Sequence, residues 1–146
     1  MGCAISYRSL RSLGFACCLA ALLFACAAKD DEPDVPAGMS VSATLRDVHR
    51  CSRISPELLI AAIPDGTEYF DVRLMEYASD GREVFLGGGT WDNDASGVIP
   101  EGALSRHYRG PCAPAGQKGD FAFVVSAMSK KSMQPLAVRL YRFTQE

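Results

Sequence analysis

The chain has 146 residues, 48% of them apolar, and its 15 basic and 17 acidic residues give a formal net charge of −2. A charge this close to zero excludes the basic surface that nucleic-acid binding requires, so we expect no nucleic-acid partner. The length bounds the folded part to one domain with a modest core.

The N-terminal quarter has the pattern of an export signal. Arg8 and Arg11 precede an apolar run at 13–24, which is the order of charged and hydrophobic regions in a signal peptide. The run is too short for a membrane span, which needs about 20 apolar residues. It ends in Leu23-Phe24-Ala25-Cys26, which resembles the lipobox of bacterial lipoproteins. We therefore predict a signal peptide over 1–25 and lipidation, including palmitate, at Cys26. Ordinary secretory cleavage after Ala27 is the alternative.

Residues 26–38 are predicted to form a flexible tether. The segment has little apolar content and carries four acidic residues and two prolines, namely Asp30, Asp31, Glu32, Asp34, Pro33 and Pro36. The predicted partner is thus a membrane, reached through the lipid anchor. Ala27 rather than Asp follows Cys26, which favours the periplasmic face of the bacterial outer membrane. A soluble periplasmic or secreted protein is the alternative location.

The folded domain is predicted over 39–146, and Cys51 and Cys112 are its two cysteines. An exported chain folds in an oxidising compartment, so we expect a disulfide between them. Two buried free thiols are the alternative, because cysteine buries well as a small apolar residue.

Alternating apolar and polar residues predict a series of short β-strands. The period of two is clear over 39–46 and 69–77, and further apolar runs bounded by turn signatures occur at 58–63, 83–86, 121–128 and 136–143. In the last run we expect Val138 and Leu140 to face inward, with Tyr141 as a further candidate. No long segment has a 3.6-residue period, so we predict an all-β antiparallel sandwich.

Two stretches have unusual backbone requirements. Gly87-Gly88-Gly89 indicates a close backbone approach, a bulge or a mobile rim. The segment 108–116 combines Pro111 and Pro114 with glycines, so it is predicted to be a rigid loop that leads into the strand beginning at Phe121. Rigid loops held by a sheet are common binding sites, although many only close a sandwich.

Two polar features are interpreted as structural, and no metal site is predicted. The segment 92–97 has oxygen donors at the spacing of a calcium loop, but the twelfth position is Ala103, so a polar turn is favoured. Lys130-Lys131 is interpreted as a solvated turn, because two charges fall short of a polybasic cluster. No Cys, His and Asp spacing supports a metal site, and we expect no cofactor.

Five short motifs occur in an order that resembles a known family. They are Ser-Pro-Glu-Leu at 55–58, Ile-Pro-Asp-Gly-Thr at 63–67, the glycine run at 87–89, Ile-Pro-Glu-Gly-Ala at 99–103 and Tyr-x-Gly-Pro-Cys-x-Pro-x-Gly at 108–116. Together they resemble the phosphatidylethanolamine-binding, or Raf kinase inhibitor-like, family in its bacterial form. The resemblance implies a β-sandwich with a large antiparallel sheet, few short helices and a small pocket at one edge. In the family that pocket accepts phosphate-like groups.

The residues that the family uses to hold an anion are replaced in this chain. The Asp-Pro-Asp loop of the family begins at the position of Glu76 in this chain. The family's His before the glycine run corresponds to Leu86, and its His-Arg-Tyr triplet corresponds to the segment 119–121. Imidazole and guanidinium donors are therefore missing at these positions, and Glu76 with Asp120 would repel an anion if both lined the pocket. Backbone amides around Gly110 remain as a candidate anion nest. The candidate ligand pocket consists of Glu76, Leu86, Trp91, Tyr108, Gly110, Pro111, Asp120 and Phe121.

These observations favour a non-enzymatic envelope lipoprotein that binds a small molecule or an envelope protein through a modified family pocket. One alternative is a hydrolase-like enzyme that uses Glu76, His107 or Asp120, although no set of nucleophile, base and orienting residue is evident. Another is a structural envelope protein whose pocket is vestigial.

Overall fold

In the computed structural model of the protein, residues 38–146 are described. The predicted signal peptide, Cys26 and nearly all of the predicted tether lie outside the described residues, so the predicted boundaries at 25 and 38 remain expectations. Within 38–146 no helix is long and apolar enough to cross a bilayer.

The described chain forms seven strands in two antiparallel sheets. The smaller sheet has the order β1-β2-β5, with β1 at Ser40–Thr44, β2 at Glu57–Ala61 and β5 at Val98–Ile99. The larger has the order β4-β3-β6-β7, with β3 at Tyr69–Tyr77, β4 at Glu83–Asp92, β6 at Gly119–Met128 and β7 at Ala137–Gln145. A single 3₁₀ turn, Asp47–His49, lies between β1 and β2. The predicted all-β antiparallel fold is confirmed.

The core lies between the two sheets and is formed by the alternate residues of each strand. Phe70, Val72 and Leu74 are buried in β3, and the same alternation buries Phe121, Phe123 and Val125 in β6. The smaller sheet contributes residues such as Leu58 and Ile60, and the whole cluster is Met39, Leu58, Ile60, Phe70, Val72, Leu74, Ile99, Leu104, Tyr108, Phe121, Phe123, Val125 and Ala127. Burial of one large apolar side chain contributes about 1.5–3 kcal/mol, so this cluster is the main stabilising feature.

For β7 the predicted inward orientation is wrong for Val138 and Leu140 and right for the further candidate, Tyr141. Val138 and Leu140 are 37% and 45% exposed, whereas Tyr141 and Phe143 pack against the core. The register with β6 pairs Tyr141 with Phe123 and Phe143 with Phe121, and the Phe143 ring stacks on both phenylalanines at 5.8 and 5.6 Å. Both alternating faces of β7 carry large apolar residues, so the period of two did not reveal which face is buried.

The glycine run is part of β4, which is longer than the predicted strand at 83–86. A Cβ atom on Gly88 would lie 1.9 Å from the carbonyl oxygen of Val72, and one on Gly87 would lie 2.3 Å from that of His107. Gly88 and Arg106 exchange two backbone hydrogen bonds, of 3.1 and 2.9 Å. Of the three interpretations of the run, close backbone approach and a bulge are therefore both observed, the bulge lying next to Gly87 in the pairing with β3.

Candidate functional site

A depression of about 430 Å³ lies at one end of the larger sheet, beside the disulfide. Three of the residues predicted for the pocket, Glu76, Leu86 and Gly110, line it together with Cys51, Ser52, Arg53, Arg109 and Cys112. Its volume is within the range of small-molecule sites, roughly 300–1,000 Å³. We call this depression the disulfide cleft.

The strands place Glu76 and Leu86 in the cleft. Glu76 is on the inward face of β3, opposite Phe121 of β6, but it lies beyond Leu74, the last fully buried residue of that face. In the pairing of β3 with β4 the register shifts between Leu74, which faces Gly87, and Met75, which faces Phe85. Leu86 is thus the extra residue of a β-bulge, a feature that commonly redirects a side chain at the end of a sheet.

The cleft wall is made of two loops joined backbone to backbone. The amide of Gly110 donates to the Ser52 carbonyl at 2.6 Å, and the amide of Cys51 donates to the Pro111 carbonyl at 2.9 Å. A Cβ atom on Gly110 would lie 2.2 Å from the His49 carbonyl oxygen, so the loops approach as closely as only glycine allows. The predicted disulfide is present, with the Cys51 and Cys112 Cα atoms 4.6 Å apart.

A buried histidine supports this wall from behind. His49 is 1% exposed; its Nδ1 accepts the Arg46 amide at 3.0 Å, and its Nε2 lies 3.0 Å from Oε2 of Glu101. Because Nδ1 is an acceptor, the ring is neutral and donates from Nε2. Burial, with a smaller effect of the Arg46 charge, lowers the pKa of His49. Arg46 also pairs with Glu101, so the 3₁₀ turn is held to the loop after β5.

Two arginines give the cleft a charge that the sequence motifs did not predict. Arg53 and Arg109 line it, both exposed, and neither forms an ion pair or a side-chain hydrogen bond within residues 38–146. Glu76 is the one acidic residue among the lining side chains. Arg109 occupies the variable position of the Tyr-x-Gly-Pro-Cys motif, and Arg53 reaches the cleft because the disulfide brings Cys51 beside Cys112. The signal available in the sequence for this charge was an arginine close to each of the two cysteines of the disulfide.

A second depression of about 480 Å³ shares both arginines and is otherwise lined by Gly102, Leu104, Ser105, His107 and Tyr108. Tyr108 is 3% exposed, and its hydroxyl has no hydrogen-bond partner in the described part of the chain. Burial raises the pKa of Tyr108 well above its usual value. His107 has a φ of 52°, in the left-handed region that few non-glycine residues adopt.

The other predicted pocket residues do not line the disulfide cleft. Trp91 pairs with Phe70 towards the far end of the sheet, and Phe121 is core. Pro111 lines a separate depression next to the C-terminal end of β7. Asp120 is on the outward face of β6 and accepts a hydrogen bond of 2.8 Å from the Thr144 hydroxyl. Glu76 and Asp120 therefore lie on opposite faces of the sheet, and a paired-carboxylate arrangement is not formed.

No metal centre is evident in this part of the protein. Among residues 38–146 no group of three or more His, Cys, Asp or Glu side chains is placed to hold a metal ion. In the segment 92–97 the Asp94 carboxylate accepts from the hydroxyl and the amide of Ser96, as in a polar turn, and these bonds lower the pKa of Asp94.

Comparisons with known proteins bear on the fold. No family model and no curated protein sequence matches the chain. Its structure is similar to the crystal structure of Escherichia coli YbcL, described as a new member of the mammalian PEBP family, with a TM-score of 0.58 and 16% sequence identity. The similarity covers 75% of this chain and 99% of YbcL. At this identity it shows the fold alone, and a fold does not determine a function. The resemblance of the sequence motifs to the phosphatidylethanolamine-binding protein (PEBP) family is thus confirmed at the level of fold: the chain has a PEBP-like fold.

Proposed function

We propose that the protein is a non-enzymatic binding protein that holds a small ligand with an anionic group in the disulfide cleft. The supporting observation is a concave wall, fixed by a disulfide and backbone hydrogen bonds, from which Arg53 and Arg109 present guanidinium groups that have no acidic partner among residues 38–146. A guanidinium group matches carboxylate and phosphate geometry with two parallel hydrogen bonds.

The distribution of reactive side chains also favours binding over catalysis. Glu76 lines the disulfide cleft, His107 lines the second depression, and Asp120 is on the outward face of the larger sheet. An acid–base or nucleophilic mechanism needs such groups within hydrogen-bonding reach of one another. A hydrolase-like mechanism that combined all three residues would therefore require a rearrangement.

The cellular setting that we propose is a bacterial envelope protein anchored through a lipid on Cys26. The support is the lipobox-like Leu23-Phe24-Ala25-Cys26 sequence. Labelled palmitate is expected to enter the wild-type chain and not a Cys26→Ser variant. Equal labelling of both chains, or of neither, would contradict the lipid anchor without bearing on the cleft.

Ligand binding is tested by thermal-shift titration of the full chain with inorganic phosphate, phosphoethanolamine and acetate, with choline as the cationic control. A ligand that binds only the folded state raises the unfolding temperature as its concentration exceeds its Kd. We expect the anions to stabilise the protein and choline to have no effect. The absence of any anion shift at millimolar concentration would contradict the proposal and favour a protein partner or a vestigial pocket.

Three variants of cleft residues and one control variant assign the binding to the cleft. Loss of a charged hydrogen-bond donor costs about 1.5–3 kcal/mol, so Arg53→Gln and Arg109→Gln should each weaken anion binding by roughly 10-fold to 100-fold. Arg73→Gln, on the outward face of β3, is the matched control and should have no effect. Glu76→Gln should strengthen anion binding, because it removes the one carboxylate that lines the cleft. Equal anion affinities for the wild type and all four variants would contradict the assignment.

A further inference from the structure

The loop between β6 and β7, residues 129–136, holds apolar side chains in solvent. Met133 is 98% exposed and Leu136 is 44% exposed. Between β6 and Met133 lie Lys130 and Lys131, both exposed. An exposed apolar residue alone is common, but here it occurs beside a pair of cations on one loop.

Hydrogen bonds give this loop a defined conformation. Oε2 of Glu68 accepts from the Lys130 amide at 2.6 Å and from the Ser129 hydroxyl at 3.0 Å, and these bonds lower the pKa of Glu68. The Ser129 hydroxyl in turn accepts the Lys131 amide at 3.2 Å, and the Leu136 amide donates to the Ala127 carbonyl at 2.8 Å. The loop is therefore held in place while Met133 remains uncovered.

The loop lies at the end of the domain where the described chain begins. Nε of Arg139, near the start of β7, donates to the Met39 carbonyl at 2.5 Å, and a Cβ atom on Gly38 would lie 3.1 Å from the same guanidinium group. The disulfide cleft is at the opposite end of the larger sheet, where β3 ends and β6 begins.

We propose that the loop 129–136 is a membrane-contact surface whose partner is a phospholipid bilayer that contains anionic lipids. Met133 and Leu136 enter the boundary between headgroups and acyl chains, as apolar residues of interfacial segments do. Lys130 and Lys131 extend to lipid phosphates, and Arg139 adds a third positive charge at this end of the domain. From the sequence alone, two lysines fell short of a polybasic cluster; the structure adds the exposed Met133 and Leu136 and the neighbouring arginine.

A bilayer is favoured over a protein partner because of where the chain leaves the domain. The inference rests on the proposed lipid anchor: Cys26 precedes Gly38 by 38 − 26 = 12 residues, a reach of at most about 40 Å. The connection enters the domain at the end that carries this loop, so the loop is within reach of the lipid surface. The loop supplies the apolar and cationic groups that such a surface binds.

The test uses tryptophan quenching, since Trp91 is the one tryptophan of the chain. In a Trp91→Phe background, Met133→Trp reports on the loop, and Gln117→Trp reports on the exposed loop before β6 at the opposite end. The full chains are reconstituted in vesicles of phosphatidylethanolamine and phosphatidylglycerol with brominated acyl chains. We expect bromine to quench the Met133→Trp reporter at least two-fold and the Gln117→Trp reporter not at all. If Trp91→Phe impairs folding, Trp91 is retained in both reporter variants. The quenching of each reporter is then taken as the increase over the quenching of the wild type.

Two results would overturn the proposal. One is an absence of quenching of the Met133→Trp reporter in protein that co-floats with the vesicles, and the other is equal quenching of both reporters. Lys130→Gln with Lys131→Gln is expected to reduce the quenching in phosphatidylglycerol vesicles; unchanged quenching would reject the anionic-lipid assignment. Failure of the anchor or of the cleft is detected separately, by palmitate labelling and by anion thermal shift.

Discussion

Replacing both cysteines of the disulfide, Cys51→Ser with Cys112→Ser, should destabilise the domain strongly. The bond closes a loop between residues 61 positions apart. On the chain-entropy model this closure lowers the conformational entropy of the unfolded chain and so adds about 4 kcal/mol to the free energy of unfolding. Such a loss is large beside the roughly 5–15 kcal/mol that stabilises a typical domain. Because the hydrogen bonds of Gly110 and Cys51 to the facing loop remain, we expect the variant to fold and to unfold more easily.

Urea unfolding of the purified protein measures the effect. With a slope of roughly 1–3 kcal/mol per molar urea, a loss of about 4 kcal/mol lowers the midpoint by roughly 1–4 M. The slope itself should rise, because an unfolded chain without the cross-link exposes more surface. Wild type unfolded in the presence of a reductant is the control and should match the double variant.

Two outcomes would refute this reasoning. If the variant and the oxidised wild type unfold with free energies within about 0.5 kcal/mol, the cross-link does not restrict the unfolded chain as the entropy model requires. If peptide mapping of unreduced protein finds Cys51 and Cys112 as free thiols, the bond is not formed at all.

Three further changes probe other parts of the domain. Gly88→Ala should lower the free energy of unfolding by more than about 2 kcal/mol in thermal unfolding, because its Cβ would meet the Val72 carbonyl at 1.9 Å. Gly102→Ala is the control and should cost less, since Gly102 has open space around it and only a φ of +78° against the substitution. Equal costs for the two variants would contradict the steric argument. Tyr108→Phe should leave stability unchanged or raise it in thermal unfolding, since it removes a buried hydroxyl that has no partner among residues 38–146. A loss above about 1 kcal/mol would show that the hydroxyl is bonded. Stability should fall as the pH drops below 6.5, because His49 becomes protonated there in the unfolded chain while its pKa in the folded protein is lower. The slope from this residue is at most about 1.4 kcal/mol per pH unit. Urea midpoints between pH 5 and 8 should show the loss in wild type and in His107→Asn, and a pH-independent midpoint would refute it.

The sequence predicted the strands well where one face is clearly more apolar than the other. The alternation of 69–77 reproduces β3 residue for residue, and its inward Phe70, Val72 and Leu74 are all buried. Periodicity failed for β7, because Val138 and Leu140 compete with Tyr141 and Phe143 as the apolar face. In β7 the pairing with Phe121 and Phe123 decides which face is buried. That pairing depends on the register between strands, which the local sequence does not specify.

The site was only partly predictable for a similar reason. Glu76 and Leu86 were found because each is at a fixed offset from a recognisable motif. Arg53 and Arg109 were missed because their proximity depends on a disulfide and on backbone contacts between loops more than fifty residues apart in sequence. The motif comparison showed which anion-binding side chains had been lost, but not that these two arginines line the same cleft.

The distance in sequence between Cys51 and Cys112 makes the cleft sensitive to the redox state of its surroundings. The bond cannot close until everything from β2 to the loop before β6 has been made, and it does not persist in a compartment that keeps thiols reduced. A chain that folds under reducing conditions therefore has the sandwich and both arginines but no covalent bond across the wall that positions them. Ligand affinities measured on protein made in a reducing cytosol should consequently be lower than those of the oxidised protein, and addition of an oxidant should restore them.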